Sequence, residues 1–402
     1  MFFLLSQGVA AQNNTNSPYT RFGYGNISDN TSAEHRAMGG VAIGARSLKS
    51  INTVNPASYS AVDSMTFMFD VGASALATYF TDNANSHSAF NGNLEYITLQ
   101  FPASKWLGFS AGVLPYSFAG YDFALSDSVY TEVPERPYVK YTNSFSGAGG
   151  ISQVYMGLSL KLFNHIALGA NAYYMWGQLD NNRTQTFLSS GANSFSVKNN
   201  ITVNDFRFRY GAQFFHTFAD KHEVTLGMIY EHQSELNGTF TQSELTTLDT
   251  INSIVDGYDL PSFYGGGLYY TYDDRLSIGM DYTMQGWSRT RYCNKLDSLH
   301  NTTKLAIGAE YMHDPNGKRY IDRVPFRLGM HASNSYVNNE SNLFENYGIS
   351  FGVGIPLRSS KTMINATFEY GKSGVKNLLR EDYLKFTLSA SINEMWFFKR
   401  KL

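Results

Sequence analysis

The residues in this chain that carry chemistry are few and scattered. Its nine histidines include no His-Glu-x-x-His pair, the spacing that puts two zinc ligands on one helix face. No Gly-rich loop runs into Lys-Ser or Lys-Thr, so nothing offers a cradle for nucleotide phosphates. No serine sits in a recognisable nucleophile motif. The one cysteine, Cys293, permits neither an internal disulfide nor a cysteine metal cluster; it follows Tyr292 in a loop-like stretch. The expectation is a protein that is not an enzyme and that has no metal and no cofactor. What remains are residues suited to holding rather than reacting. One set is charged: Arg207, Arg209, Asp281, Glu310, Arg327, Glu369 and Lys385. The other is conformational: Met38-Gly39-Gly40, then Asn55-Pro56-Ala57.

Each member of the charged set lies in a segment of period-two alternation, the signature of strands. Phe206, Phe208, Tyr210, Ala212 and Phe214 alternate with Arg207, Arg209, Gly211, Gln213 and Phe215. Leu276, Ile278, Met280, Tyr282 and Met284 alternate with Ser277, Gly279, Asp281, Thr283 and Gln285. Successive side chains point to opposite faces, so each segment has one apolar face and one small, polar face. The segments run about 10–14 residues, enough for a tilted strand to cross a bilayer. Sandwich strands average about five or six.

Fourteen such strands are expected, beginning near Thr66, Asn93, Trp106, Ile151, His165, Val203, His222, Ser262, Arg275, Thr303, Val324, Tyr347, Thr362 and Tyr383. Short turns such as Phe163–Asn164, Ala219–Lys221, Asp273–Asp274 and Arg358–Lys361 alternate with long connections such as Thr81–Gly92, Ala119–Gly150, Gln178–Thr202 and His232–Pro261. Short periplasmic turns and long outer loops are the layout of an outer-membrane barrel. The fold expected is therefore all-β: a 14-stranded antiparallel transmembrane β-barrel over 66–402. It places the chain in the bacterial outer membrane, with lipid against its apolar faces. No run of 18 apolar residues supports a membrane helix. Charged residues make up 16 % and aromatics 15 %, as wet-and-greasy strands require. The formal charge of -2 leaves no footprint for nucleic acid.

Residues 1–11, MFFLLSQGVAA, look like the tail of a secretory signal, with Val9-Ala10-Ala11 before Gln12 as a small-residue cleavage site. Residues 12–65 are rich in Asn, Ser, Gly and Ala and show weak periodicity. A barrel of fourteen strands is wide enough to hold a channel or need a plug, so this segment is expected to be an N-terminal hatch. Proline fixes φ and lacks an N–H, Asn55 can close a turn on its neighbouring backbone, and Gly39 and Gly40 permit positive φ or close approach.

Met38-Gly39-Gly40 and then Asn55-Pro56-Ala57, just ahead of the first strand and with fourteen strands behind, resemble the FadL/TodX family of outer-membrane transporters for hydrophobic compounds. The stretch Ser17–Gly25 and the ending Trp396-Phe397-Phe398-Lys399-Arg400-Lys401 look like its Bacteroidetes branch. The resemblance implies passive uptake of small hydrophobic molecules, of fatty-acid or aromatic type, past the hatch, with lateral release through a kink in the third strand. Gly112-Val113-Leu114-Pro115-Tyr116 lies there. A proline cannot donate to a ladder, so either Pro115 marks the gate, with Gly112, or the strand simply ends at Leu114. Relatives of this fold also include non-transporting members, which implies an alternative: an accessory barrel with other outer-membrane proteins as partners, in a secretion or barrel-assembly complex. The inward charges either orient a ligand and anchor the hatch or pair among themselves in a wet lumen. Arg327 and Glu369 are the first candidates for contact with the hatch.

Overall fold

The computed structural model describes residues 14–63, 65–82, 85–130, 138–187, 194–245, 250–254, 257–296, 299–337, 345–357, 362–375 and 379–395. The proposed signal remnant, the Arg358–Lys361 turn and the Trp396–Lys401 ending lie outside them. Fourteen strands form the wall: β1 Thr66–Thr81, β2 Ser86–Pro102, β3 Leu107–Tyr130, β4 Tyr138–Leu162, β5 Ile166–Phe187, β6 Phe195–Phe218, β7 His222–Glu231, β8 Phe263–Tyr272, β9 Leu276–Gln285, β10 Thr302–Tyr311, β11 Phe326–Asn334, β12 Glu345–Pro356, β13 Met363–Gly374 and β14 Arg380–Met395. Neighbours pair antiparallel in chain order. The wall closes where β14 pairs with β1, from Arg380↔Thr81 to Met395↔Thr66.

The alternation in the sequence becomes two faces of one wall. On β6, Phe206, Phe208 and Tyr210 are 60, 51 and 51 % exposed, whereas Arg209 between them is 6 % exposed. Leu268, Ile278, Met280, Leu328, Ile349, Phe368 and Leu388 continue this outward apolar surface around the barrel. A contiguous belt of that kind is untenable in water and is the lipid face of a membrane-spanning barrel. At one end the hairpins turn on Phe163–Asn164, Ala219–Asp220 and Asp273–Asp274, all at positive φ. Two left-handed residues make the turn whose twist matches paired strands, and Asn and Asp tolerate it best.

At the other end the wall departs from expectation. The long loops expected at Ala119–Gly150 and Gln178–Thr202 are largely strand, since β3 runs on to Tyr130, β4 starts at Tyr138, β5 reaches Phe187 and β6 starts at Phe195. The ladder holds throughout, ending at Tyr130↔Tyr138. About ten residues cross a membrane, so roughly half of each of these strands rises beyond it. There both faces meet water, and β3 is exposed from Leu125 to Tyr130 without alternation, so periodicity could not reveal the extension. A hairpin, Gly238–Leu245 with Thr250–Ile254, adds to the raised sheet by pairing with β6 from Gly238↔Val203 to Leu245↔Ser196.

Candidate functional site

The inner face of the wall is shaped by what lies against it. Gly169, Gly211, Gly227, Gly308 and Gly329 sit on β5, β6, β7, β10 and β11. A Cβ on each would come within 2.0–2.4 Å of Pro56, Asn55, Ile43, Met38 and Gly39 respectively. The N-terminal segment therefore presses on bare wall backbone, which only glycine allows. Polar wall residues hold it in register. Asp281 Oδ2 accepts from the amides of Ala42 (2.6 Å) and Ile43 (2.8 Å). Arg209 Nη1 donates to Val54 O (3.1 Å) and Gln213 Nε2 to Ile43 O (3.0 Å). Ser350 Oγ accepts from Gly39 N–H and donates to Ala37 O, both at 3.0 Å. Thr367 and Ser159 donate to Ala33 O and Ala57 O at 2.7 Å.

Within the segment, the two motifs close local turns. Ser32 caps the one-turn helix Ala33–Ala37. Met38, only 1 % exposed, follows it; Gly39 and Gly40, at φ +72° and +94°, reverse the chain where a side-chain-bearing residue would be strained. Asn55 caps the 3-10 turn Pro56–Ala61: its Oδ1 accepts from Ala57 N–H (3.1 Å) and its Nδ2 donates to Ile43 O (2.8 Å). A buried asparagine that satisfies its own turn and a distant carbonyl ties the two motifs together.

The charges named from the sequence all face inward. Arg207 and Arg209 converge on Glu231 of β7, the former at 2.5 Å; Arg207 also stacks over Tyr173 at 4.6 Å. Arg327 reaches Glu310 (2.5 Å), Asn365 (2.8 Å) and, in the N-terminal segment, Glu34 (3.5 Å). Glu369 accepts from Tyr383 Oη (3.0 Å). Glu95 was missed: it binds Arg36 of the segment at 3.0 Å and Lys385 at 2.6 Å. Alternation fails at that point, because Glu95 and Tyr96 are both buried opposite a bulge at Gly72/Ala73.

Pro115 does not end its strand. The ladder between β2 and β3 runs only from Pro102↔Gly108 to Ile97↔Val113. Gly112 stands one rung below that limit, where a Cβ would meet Ile97 O at 2.5 Å. Above it, β3 carries a bulge between Pro115 and Ser117, and Leu114, Pro115, Tyr116 and Ser117 are all buried. The strand dips inward there, and the N-terminal segment lies along it. Asn26–Ile27 pairs with Phe118–Ser117, and Ser28 N–H donates to Tyr116 O (2.9 Å).

The same segment meets the outer loops. Tyr24, fully buried, packs against Trp287 (5.8 Å between ring centres) and Tyr292 (5.7 Å). Trp287 stacks on Tyr336 (4.8 Å) and Phe240 on Tyr258 (3.7 Å). Tyr292 and Tyr336 donate to the carbonyls of Gly23 and Phe22 at 3.1 and 3.2 Å. This aromatic lid borders a cavity of about 260 Å³, lined by Tyr336 of the lid with Tyr116, Arg207, Asp281, Lys304 and Glu381 among others. Cys293 belongs to the lid's edge, in a tight turn with its Sγ 2.9 Å from Tyr258 Oη.

A family model described as BamG matches residues 1–402. No curated protein matches the chain. Among solved structures, the CymD monoaromatic hydrocarbon channel aligns with a TM-score of 0.60 at 12 % identity, over 94 % of this chain and 100 % of that one. The Pseudomonas putida toluene transporter TodX aligns with a TM-score of 0.61 at 16 % identity, over 92 % and 99 %. A Pseudomonas aeruginosa FadL homologue aligns with a TM-score of 0.59 at 13 % identity, over 91 % and 98 %. At such identities the likeness is one of fold: the resemblance to FadL and TodX holds for the 14-stranded barrel, while the family model that matches the chain is a different one.

Proposed function

Given that this chain belongs to the BamG family, we propose that it is a non-transporting accessory barrel of the bacterial outer membrane, a partner within a complex that secretes proteins or assembles barrels. One observation supports this reading: the described part of the chain's own N-terminal segment lies against the inner wall through buried contacts on many strands. Wall glycines receive its backbone, buried hydrogen bonds fix it, and the aromatic lid closes over it. In this reading the hatch is a fixed plug, held by its described residues 14–63. A transporter needs a path that opens; here each step of opening breaks buried polar contacts, and an unpartnered buried group costs about 1–3 kcal/mol. The raised β3–β6 sheet gives such a partner a surface beyond the membrane.

The test pairs two measurements on the full chain. Extraction of native membranes in mild detergent is expected to recover it in a stable complex with the same outer-membrane proteins each time. Liposomes carrying the purified chain are expected to take up toluene or oleate no faster than empty ones. Saturable uptake by such liposomes would overturn the proposal.

A second reading, uptake of small hydrophobic molecules with lateral release, is favoured by the interrupted β2–β3 ladder and by the fold shared with hydrocarbon channels. In that reading Gly112 and Pro115 form the gate, and Asn26–Ile27 must leave it. A disulfide between Asn26→Cys and Phe118→Cys, which face each other in the ladder, would then abolish uptake. It leaves the accessory role unaffected.

A further inference from the structure

The lipid face of the wall is not smooth. On β10 to β13 two outward rows of side chains run across the strands in register. The upper row, nearer the outer end, is Leu305, Ala332, Tyr347 and Lys372; the row below it is Ile307, Met330, Ile349 and Tyr370. Ala332 leaves a gap between Leu305 and Tyr347, and Gly348 and Gly371 contribute backbone alone. The result is a groove of about 410 Å³ with an almost wholly apolar lining. It opens outward, since Met330 and Ile349 are 55 and 60 % exposed. Its volume holds roughly a dozen groups the size of a water or a methylene, at about 30 Å³ each, which is most of one acyl tail.

The strands fix its depth. β10 has 10 residues, the length that crosses the hydrocarbon at a tilt. The upper row stands two or three residues in from the outer ends of its strands, so the groove lies in the outer leaflet. Its upper row ends in a cation. Lys372 lines the groove and its ammonium stands 3.5 Å from Asp382. Arg380 takes that carboxylate more closely, at 2.9 Å through Nη2 and 3.0 Å through Nε. Lys372 therefore has donors to spare. Two cations share one carboxylate here, and Glu345, a row further out, lies opposite Gly374. Acyl tails already meet every outward side chain of such a wall, and a cation at the headgroup end adds attraction for phosphate. We propose that this groove retains one phosphorylated lipid of the outer leaflet, with a tail between the two rows and its phosphate on Lys372. The site goes beyond the accessory role and stands whether or not the lumen conducts.

The test adds lipid to the delipidated full chain in detergent and counts bound molecules by native mass spectrometry. The probes are phosphatidylglycerol and phosphatidylcholine with the same acyl tails. The first phosphatidylglycerol is expected to bind roughly five-fold more tightly than the first phosphatidylcholine, the worth of one lysine near a membrane surface. Lys372→Gln should bring the two together. Ala332→Trp fills the gap and should lose the tight first lipid of either kind. Ala366→Trp, outward on β13 and outside the groove, should bind like wild type. Heat-dependent gel mobility checks that each variant is a folded barrel, and Lys372→Gln keeps the test open if Ala332→Trp does not fold. Equal first affinities for the two lipids in wild type, a preference that survives K372Q, or a tight first lipid that survives A332W in a folded barrel would each overturn the proposal. A photo-crosslinking amino acid at Tyr347 in native membranes separates the occupants. Adducts with lipid are expected; a reproducible adduct with one protein would assign the groove to that protein and sink the lipid site.

Discussion

The tightest approach of the N-terminal segment to the wall yields the sharpest prediction. A Cβ added at Gly329 would stand 2.0 Å from Gly39 N and 2.1 Å from Met38 C, whereas carbon contacts settle near about 3.5 Å. The obstacle is backbone on both sides, so a flexible tip cannot swing away; the segment must retreat by roughly 1.5 Å. That distance breaks the Gly39 N–H to Ser350 bond and the Ser350 to Ala37 bond, each 3.0 Å. Two lost bonds at about 1 kcal/mol each, plus about 1–2 kcal/mol for overpacking, give about 3–4 kcal/mol against the seated segment. Gly329 has ordinary strand φ and is absent from the positive-φ glycines, so the wall itself should fold. Gly266 on β8, with nothing within 4 Å of its added Cβ, is the control. Hydrogen exchange of the amides from Ala33 to Ala45 in detergent reads the result. G329A should exchange there roughly 10²- to 10³-fold faster than wild type, at 1.36 kcal/mol per tenfold, and G266A should match wild type. Equal protection in all three proteins would refute the claim that wall glycines seat the segment.

Three further outcomes follow from the same geometry. Glu231→Gln leaves Arg207 and Arg209 facing no carboxylate and should cost about 3–5 kcal/mol, read as a lower urea midpoint in gel-shift unfolding; an unchanged midpoint would discount the buried ion cluster. Phe208→Arg, outward on β6 at 51 % exposure, should cost about 2–4 kcal/mol in bilayers if it lies near the midplane, and far less in a detergent that solvates arginine. In the N-terminal segment, burial and then the nearby Arg327 charge pull His35 down from 6.5 to about 4. Its seated form binds protons more weakly than its free form. Stability is therefore full above about pH 6.5 and is lost as pH falls towards 4, by about 3 kcal/mol in all. His35→Gln should flatten the pH dependence of amide exchange in that window; an unchanged slope would exclude His35 as its source.

Alternation along the chain was enough to specify the barrel, its strand number and which side chains face lipid. Phe206, Phe208 and Tyr210 alternate with Arg207 and Arg209 because each strand separates two solvents, and that demand is written residue by residue within ten positions. The motifs at Met38–Gly40 and Asn55–Ala57 were legible as turns for the same local reason. Tertiary structure alone decided what those turns press against. Gly329 meets Gly39, and Asp281 meets Ala42, across separations of hundreds of residues that leave no periodic trace. Glu231 and Glu34 became the partners of Arg207, Arg209 and Arg327, and Glu95 of Lys385 and Arg36, only when neighbouring strands and the segment were brought together. The raised halves of β3 to β6 were hidden because water on both faces removes the alternation, while hydrogen bonds between backbones, blind to side-chain type, keep the ladder intact.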